Sequence, residues 1–374
     1  MLFSNIIGQK EIKKRLLSLV KDKRLSHAIM LKGKEGVGSL PLSIAFAQYI
    51  LCENKKDNDA CGECAACKKV QKLIHPDLHF IFPVIKDSSK PSISDYYIDD
   101  WRKQIQEDLY FTLADWEYRL SEGKKKSAIY VDESSEIIKK LNFKAFESDY
   151  KVMIIWLPEK MNQQTANKLL KTLEEPAEKT VLILVAENTD FILPTILSRV
   201  QQINVPAIEK ADIKSYLSQN YSLSEDLLDF AINYGKGSLP ETIKSIETSE
   251  NQHQYFLWFT QLMRFNYANK MLDVINLTDE ILSKDKSQLQ NFLSYSIRYI
   301  RDNFMLNQQQ NNLVFLIEEE QKFADKFSNF ITPNNIEKIY NAFNNALINI
   351  NRNANVKIQM QILSIELVRA FSMI

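Results

Sequence analysis

Two groups of residues in this chain have the types and spacing to do chemistry. The first is Gly33-Lys34-Glu35-Gly36-Val37-Gly38-Ser39-Leu40, which keeps the glycine frame of the phosphate loop G-x-x-x-x-G-K-[ST]. In a working loop the glycines let backbone amides cradle phosphates, the lysine neutralises them and the hydroxyl holds Mg²⁺. Here Ser39 stands in the lysine place and Leu40 in the hydroxyl place, so Gly33, Gly36, Gly38 and Ser39 form a cradle without its cation or metal ligand. An ordinary glycine turn fits the same residues. The second group is Cys52, Cys61, Cys64 and Cys67, spaced C-x8-C-x2-C-x2-C and comprising every thiol in the chain. Four clustered thiolates suit a tetrahedral Zn²⁺, with an iron–sulfur cluster or free thiols as alternatives. Four protein ligands leave no position for water, so such a zinc is structural and not catalytic.

The elements that must position these groups are legible nearby. Ala28-Ile29-Met30-Leu31 reads as an apolar strand running into the glycines, and Pro41 to Leu51 reads as a helix leaving them. Pro41 suits a first helical turn, where its missing N–H has no intrahelical partner to lose. Further strands are expected at 78–83, 152–157 and 181–186, the last two apolar enough to be buried on both faces. Between them a helix from Met161 stops before Glu174-Glu175-Pro176, because a proline disfavours the helical conformation of the residue before it.

Alternation of strands and helices up to about Pro206 predicts an α/β domain with a parallel sheet. After it the chain reads as helical throughout. The expected division is an α/β core over 1–206, a small helical lid over 207–248 and a helical collar over 249–374. The core carries the cysteine module at 52–67 and an insertion at 84–128, which holds Tyr96, Tyr97, Trp101, Trp116 and Lys124-Lys125-Lys126. That insertion reads equally as a solvated surface element or a docking site. In the last third Phe256, Trp258, Phe259, Met263, Phe265 and Tyr267 make an aromatic-rich helix. Core packing explains it better than base stacking, which needs a basic groove.

With 374 residues the chain can bury two or three cores. Lysine plus arginine and aspartate plus glutamate number 47 each, which argues against gripping nucleic acid alone through a basic field. No apolar run approaches the roughly 20 residues that span a bilayer, and the start lacks a signal peptide's pattern. A cytoplasmic protein with no membrane partner is expected.

Several stretches, taken in order, carry a family resemblance. They are Ile7-Gly8-Gln9, Leu25-Ser26-His27-Ala28, the glycine loop, the cysteine module and His75-Pro76-Asp77-Leu78, then Lys151-Val152-Met153-Ile154-Ile155, Ala166-Asn167-Lys168-Leu169-Leu170-Lys171-Thr172-Leu173-Glu174-Glu175-Pro176 and Leu193-Pro194-Thr195-Ile196-Leu197-Ser198-Arg199. Together they resemble the bacterial clamp-loader subunits of DNA polymerase III, AAA+ proteins that place a ring-shaped sliding clamp on DNA. The resemblance implies an AAA+ (P-loop NTPase-like) α/β domain followed by an all-α collar.

Within that family the motor subunits, gamma and tau, keep an intact phosphate loop. This chain has Trp156, Leu157 and Pro158 where the Mg²⁺-holding acids should follow Ile155, Ala186 at the first sensor position, and Glu241 where the second sensor arginine is expected. Ser198-Arg199 remains, in the segment that supplies an arginine finger to ATP on a neighbouring subunit. A guanidinium is always charged and meets developing phosphate charge in a forked geometry; such fingers contribute about 10³–10⁵ in rate in GTPases. An arginine that ends a helix or pairs with a local acid is the structural alternative.

The combination looks like delta prime, the non-hydrolysing subunit type. It implies no ATP bound here, structural zinc, and a place in the polymerase III holoenzyme beside delta and gamma/tau subunits, reaching the sliding clamp and primed DNA through the complex. Alternatives are a divergent gamma/tau-like ATPase motor, a zinc-bearing nucleic-acid adaptor and a loader-like assistant of another enzyme. His27, His75, His79 and His253 show no metal-ligand spacing.

Overall fold

The computed structural model describes residues 1–374 apart from 88–89, 222, 250–251, 283–285, 311–313, 315, 353 and 372–374. The chain forms two compact units, Met1–Ser222 with Gly235–Thr242, and Leu223–Tyr234 with Ile243–Ile374.

The first unit is built on an all-parallel sheet of β1 (Ala28–Lys32), β2 (Leu78–Ile81), β5 (Lys151–Trp156), β6 (Thr180–Ala186) and β7 (Gln201–Asn204) in the order β2-β5-β6-β1-β7. Every residue of β5 and β6 is buried, as the continuous apolar runs require of strands covered on both faces. Two apolar clusters lie on the two faces: Ile29, Leu31, Ile154 and Ile183 point to one, Met30, Met153, Ile155 and Leu184 to the other. β7 escaped sequence reading because it is an edge strand of polar residues, of which only Ile203 is fully buried. Short β3 (Val84–Ile85) and β4 (Ser127–Ala128) pair antiparallel beside this sheet.

Helices α1 (Lys10–Lys21), α2 (Ser39–Leu51) and α3 (Ala65–Gln71) precede β2. α2 is apolar all round, and all thirteen of its residues are buried. α4 (Ile98–Glu107) and α5 (Leu113–Ser121) form the insertion, and α6 (Val131–Asn142) leads to β5. α7 (Gln163–Glu174) joins β5 to β6, α8 (Pro194–Leu197) joins β6 to β7, and α9 (Lys210–Asn220) follows.

The insertion is not a solvated surface element. Trp101 and Trp116 have no exposure, and they cluster with Phe82, Phe111 and Trp156 at ring separations of 4.2–5.5 Å. Its polar groups are tied in as well. Trp116 Nε1 donates to the Pro83 carbonyl at 2.7 Å, and the buried Glu117 carboxylate accepts the Ser127 N–H at 2.8 Å. Glu133 accepts the Ser94 N–H at 2.6 Å, and burial pushes its carboxyl up to about 7.

Helical segments α10 (Glu225–Gly235) and α11 (Leu239–Ser249) are followed by α12 (Gln252–Tyr267), α13 (Met271–Leu282), α14 (Lys286–Asn307), α15 (Glu318–Phe327), α16 (Ile336–Asn351) and α17 (Val356–Phe371). The core expected around Trp258, Phe259 and Met263 is present, each of them at most 2% exposed. Glu320 is fully buried there and accepts from Gln252 Nε2 (2.9 Å), Tyr295 OH (2.7 Å) and Arg298 Nη2 (3.2 Å). A buried carboxylate is tolerable only with such partners.

Candidate functional site

β1 delivers the chain to Gly33, whose N–H donates to the Ala186 carbonyl at 3.0 Å, and Gly38 at φ +95° opens α2. That is the strand–loop–helix geometry of a phosphate cradle. Its glycines, however, make room for the protein itself. A Cβ on Gly38 would meet Tyr110 Cε1 at 3.1 Å, and one on Gly36 would meet Ser238 Oγ at 2.3 Å and Pro240 Cδ at 2.5 Å. Leu239 N–H donates to the Gly36 carbonyl at 3.1 Å. Gln9 Nε2 straps the loop by donating to the Val37 and Pro206 carbonyls, and the Ile7 N–H donates to Tyr110 OH at 2.9 Å.

The space left beside the loop is about 30 Å³, walled by Tyr110, Phe111, Trp156 and Glu187. About 10–15 Å³ of such space holds one water, whereas a small-molecule site needs about 300–1,000 Å³. Trp156, where the resemblance implied the first acid, lines this space and packs 5.1 Å from Phe111. Ser39 Oγ is buried without a hydrogen-bond partner among the described residues. Glu187 brings a carboxyl, not a cation, to the wall of this space. Its carboxyl is pushed up to about 8 by burial, then by the nearby Glu35 and Glu159 carboxylates. Glu159 accepts the N–H groups of Glu187 (2.8 Å) and Asn188 (3.0 Å). These residues do not fit ATP.

The cysteines do converge. Cys52 ends α2, Cys64 caps α3, Cys67 lies in its first turn, and all four sulfurs lie within 4.8 Å of one another. Cys52 to Cys61 is 3.6 Å and Cys61 to Cys67 is 3.8 Å. A tetrahedron with Zn–S bonds of about 2.3 Å sets sulfurs about 3.8 Å apart, so the donor set fits a single tetrahedral ion. The amides of Glu63 and Cys64 donate to Cys61 Sγ at 3.5 and 3.3 Å and hold that thiol down to about 6. Cys61 N–H donates to Cys52 Sγ, and Cys67 N–H to Cys64 Sγ. Such N–H···S bonds orient and stabilise thiolate ligands. The cluster can hold a metal such as zinc.

Arg199 stands at the end of α8, exposed. Its Nη2 pairs with Glu174 Oε1 at 2.8 Å, and its Nη1 donates to the Thr195 carbonyl at 2.9 Å. The local-acid pairing that the sequence left open is therefore present, and the Arg199 side chain remains 36% exposed.

A family model for "DNA polymerase III, delta subunit" matches residues 8–209, more than half of the chain. This chain belongs to that family of AAA+ clamp-loader proteins. Similar proteins include DNA polymerase III subunit delta' of Bacillus subtilis, 27% identical over 56% of this chain and 51% of the relative. The delta' of Escherichia coli is 26% identical over 57% of this chain and 52% of the relative. Subunit tau/gamma of Haemophilus influenzae is 23% identical over 86% of this chain but only 38% of the relative. The chain spans about half or less of the length of these relatives.

The remaining histidines and Asp77 make local contacts. Asp77 accepts the N–H groups of Phe146, Glu147 and Ser148, ordering the turn before β5, and His75 Nδ1 accepts the Asp77 N–H. His27 Nε2 donates to the Leu173 carbonyl, and His253 pairs with Glu319. Burial pushes His79 down to about 4. Sequence reasoning missed Tyr110, Phe111 and Glu187. The one signal available for the first two was the aromatic density of the 84–128 insertion.

Proposed function

We propose that this chain is a non-hydrolysing, delta-prime-like subunit of a bacterial DNA polymerase III clamp loader. It supports ATP-dependent loading of the sliding clamp on primed DNA by donating Arg199, steadied by Ser198, to ATP held on a neighbouring gamma/tau subunit. The observation that carries this reading is an asymmetry within one unit. Tyr110, Trp156 and Glu187 fill the phosphate loop, while Arg199 faces solvent. A motor needs the converse in its own loop, since phosphoryl transfer depends on metal and cation stabilisation.

The finger reading also requires Glu174 to be an exchangeable partner. Both side chains of the pair are 36–50% exposed, and exposed ion pairs contribute about 0–1 kcal/mol, so a phosphate can displace the carboxylate. The cysteine cluster would hold structural Zn²⁺ through Cys52, Cys61, Cys64 and Cys67. The three-part division into α/β core (1–206), lid (207–248) and collar (249–374) belongs to the same proposal. Partners would be delta and gamma/tau, with clamp and DNA reached through the complex. No helix among the described residues is long and apolar enough to cross a membrane.

A divergent gamma/tau-like motor is the second reading, favoured by the long tau/gamma alignment. Equilibrium titration of the purified chain with Mg-ATP separates the two. Absence of binding together with DNA-stimulated ATPase in a mixture with delta and gamma/tau supports our reading, and micromolar ATP binding by the chain alone overturns it.

A further inference from the structure

We propose that the groove between α12 and α15 is a docking site for a short acidic peptide that carries a large apolar or aromatic residue. The groove has a volume of about 360 Å³, within the range of ligand sites. Its floor is apolar: Met263, Phe327 and Phe371 are buried there. Tyr267 lies edge-to-face against Phe330 (5.5 Å, 78°) and Phe371 (6.1 Å, 77°), while Phe323 stacks on Phe327 at 5.1 Å. These rings already brace one another, so little ordering cost remains for an incoming side chain. Tyr267 is nonetheless 63% exposed.

Charge selects the occupant. Among the described residues the lining includes three cations, Arg264 on α12 and Lys322 and Lys326 on α15, and no carboxylate, with Lys322 Nζ paired at 2.7 Å to Glu318 just outside the groove. Arg264 lies over the Phe323 ring at 5.9 Å, and Lys322 and Lys326 rise one turn apart on the opposite wall. An aromatic site that takes a cation needs acids or bare ring faces; cationic walls repel one and attract carboxylates. Because the cations stand on both walls, a peptide with carboxylates flanking its anchor engages them together. A small organic acid would meet one wall. The rings pack on one another and leave only the Tyr267 ring largely exposed, which gives successive bases no stacking platform and disfavours single-stranded nucleic acid.

The test uses the full chain and a fluorescein-labelled hexapeptide of four aspartates followed by leucine and phenylalanine. We expect saturable anisotropy binding that weakens with salt. Tyr267→Ala and Lys326→Glu should each weaken it at least about tenfold while circular dichroism shows both folded; Lys326→Glu, at an exposed position outside the ring cluster, should leave Tm unchanged. The same peptide with lysines in place of aspartates should not bind. Equal binding by the variants or by the lysine peptide overturns the proposal, as does no binding by the folded wild type. Two other occupants are distinguished in parallel. Self-association lost in Tyr267→Ala by sedimentation would make a second copy the occupant, and tighter binding of oligo-dT than of the peptide would make it nucleic acid; either overturns the peptide.

Discussion

Arg199 and Glu174 meet at 2.8 Å across the gap between α8 and α7, in the segments Ser198-Arg199 and Glu174-Glu175-Pro176 that carry the family resemblance. The pair joins the end of one motif to the end of another. On the proposed finger reading Glu174 is a resting partner weaker than a polyphosphate, because a single solvent-exposed carboxylate pairs with a guanidinium less strongly than several phosphate oxygens do.

Arg199→Ala should therefore leave the chain folded, with stability changed by under about 1 kcal/mol. Reconstituted with delta and gamma/tau, it should lower DNA-stimulated ATP turnover at least about tenfold. Glu174→Ala should lower stability equally little and leave turnover intact. Steady-state ATPase and urea titration check both variants, and unchanged turnover in Arg199→Ala removes the finger role.

Restoring the missing loop residues should not by itself restore nucleotide binding. Ser39→Lys with Leu40→Thr supplies the charge and hydroxyl, yet Tyr110 still lies against Gly38 and Trp156 still lines the space beside the loop. Calorimetry with Mg-ATP should show no binding for that double variant, and weak binding once Tyr110→Ala is added. Binding by the double variant alone would mean that charge, not occlusion, closed the site.

The cysteine cluster should carry one zinc per chain by elemental analysis. Cys61→Ser should lose the metal and lower Tm by several degrees, because the four ligands join the end of α2 to α3 and metal binding is coupled to that folding. Strong chelation of the wild type should reproduce the loss, and added Zn²⁺ should reverse it in wild type only. Iron in place of zinc, with visible absorbance, would reassign the metal.

Glu187 gives a pH signature. Its folded-state carboxyl sits at about 8, above the value near 4.5 expected when unfolded, so between these values the folded chain binds more protons. Stability contributed by this group is full below about 4.5 and declines as pH rises through about 8. The charged groups Glu35, Glu159 and Lys160 face it, so the comparison must be with Glu187→Gln. That variant should flatten the fall in urea midpoint between about pH 5.5 and 8.5 and be the more stable form at the upper end. An unchanged slope would show that Glu187 is not the titrating group.

Much of this molecule was legible along the chain. The runs at 28–32, 152–157 and 181–186 became buried strands because continuous apolar sequence has nowhere else to go, and the C-x8-C-x2-C-x2-C spacing alone drew four sulfurs within 4.8 Å. β7 was not legible, since an edge strand is held by pairing with β1 and not by its own apolar content. The family was legible from ordered short motifs, each local.

The sequence by itself determined what was missing from the phosphate loop, the lysine, the hydroxyl and the acids, since these are identities at fixed spacing. Only the tertiary structure decided what replaced them. Tyr110 comes 72 residues after Gly38, Ile7 reaches Tyr110 across 103 residues, and Gln9 reaches Pro206 across 197. Periodicity and motif spacing carry information over one or two turns, whereas a plug is a contact between surfaces that become neighbours only when the sheet has formed.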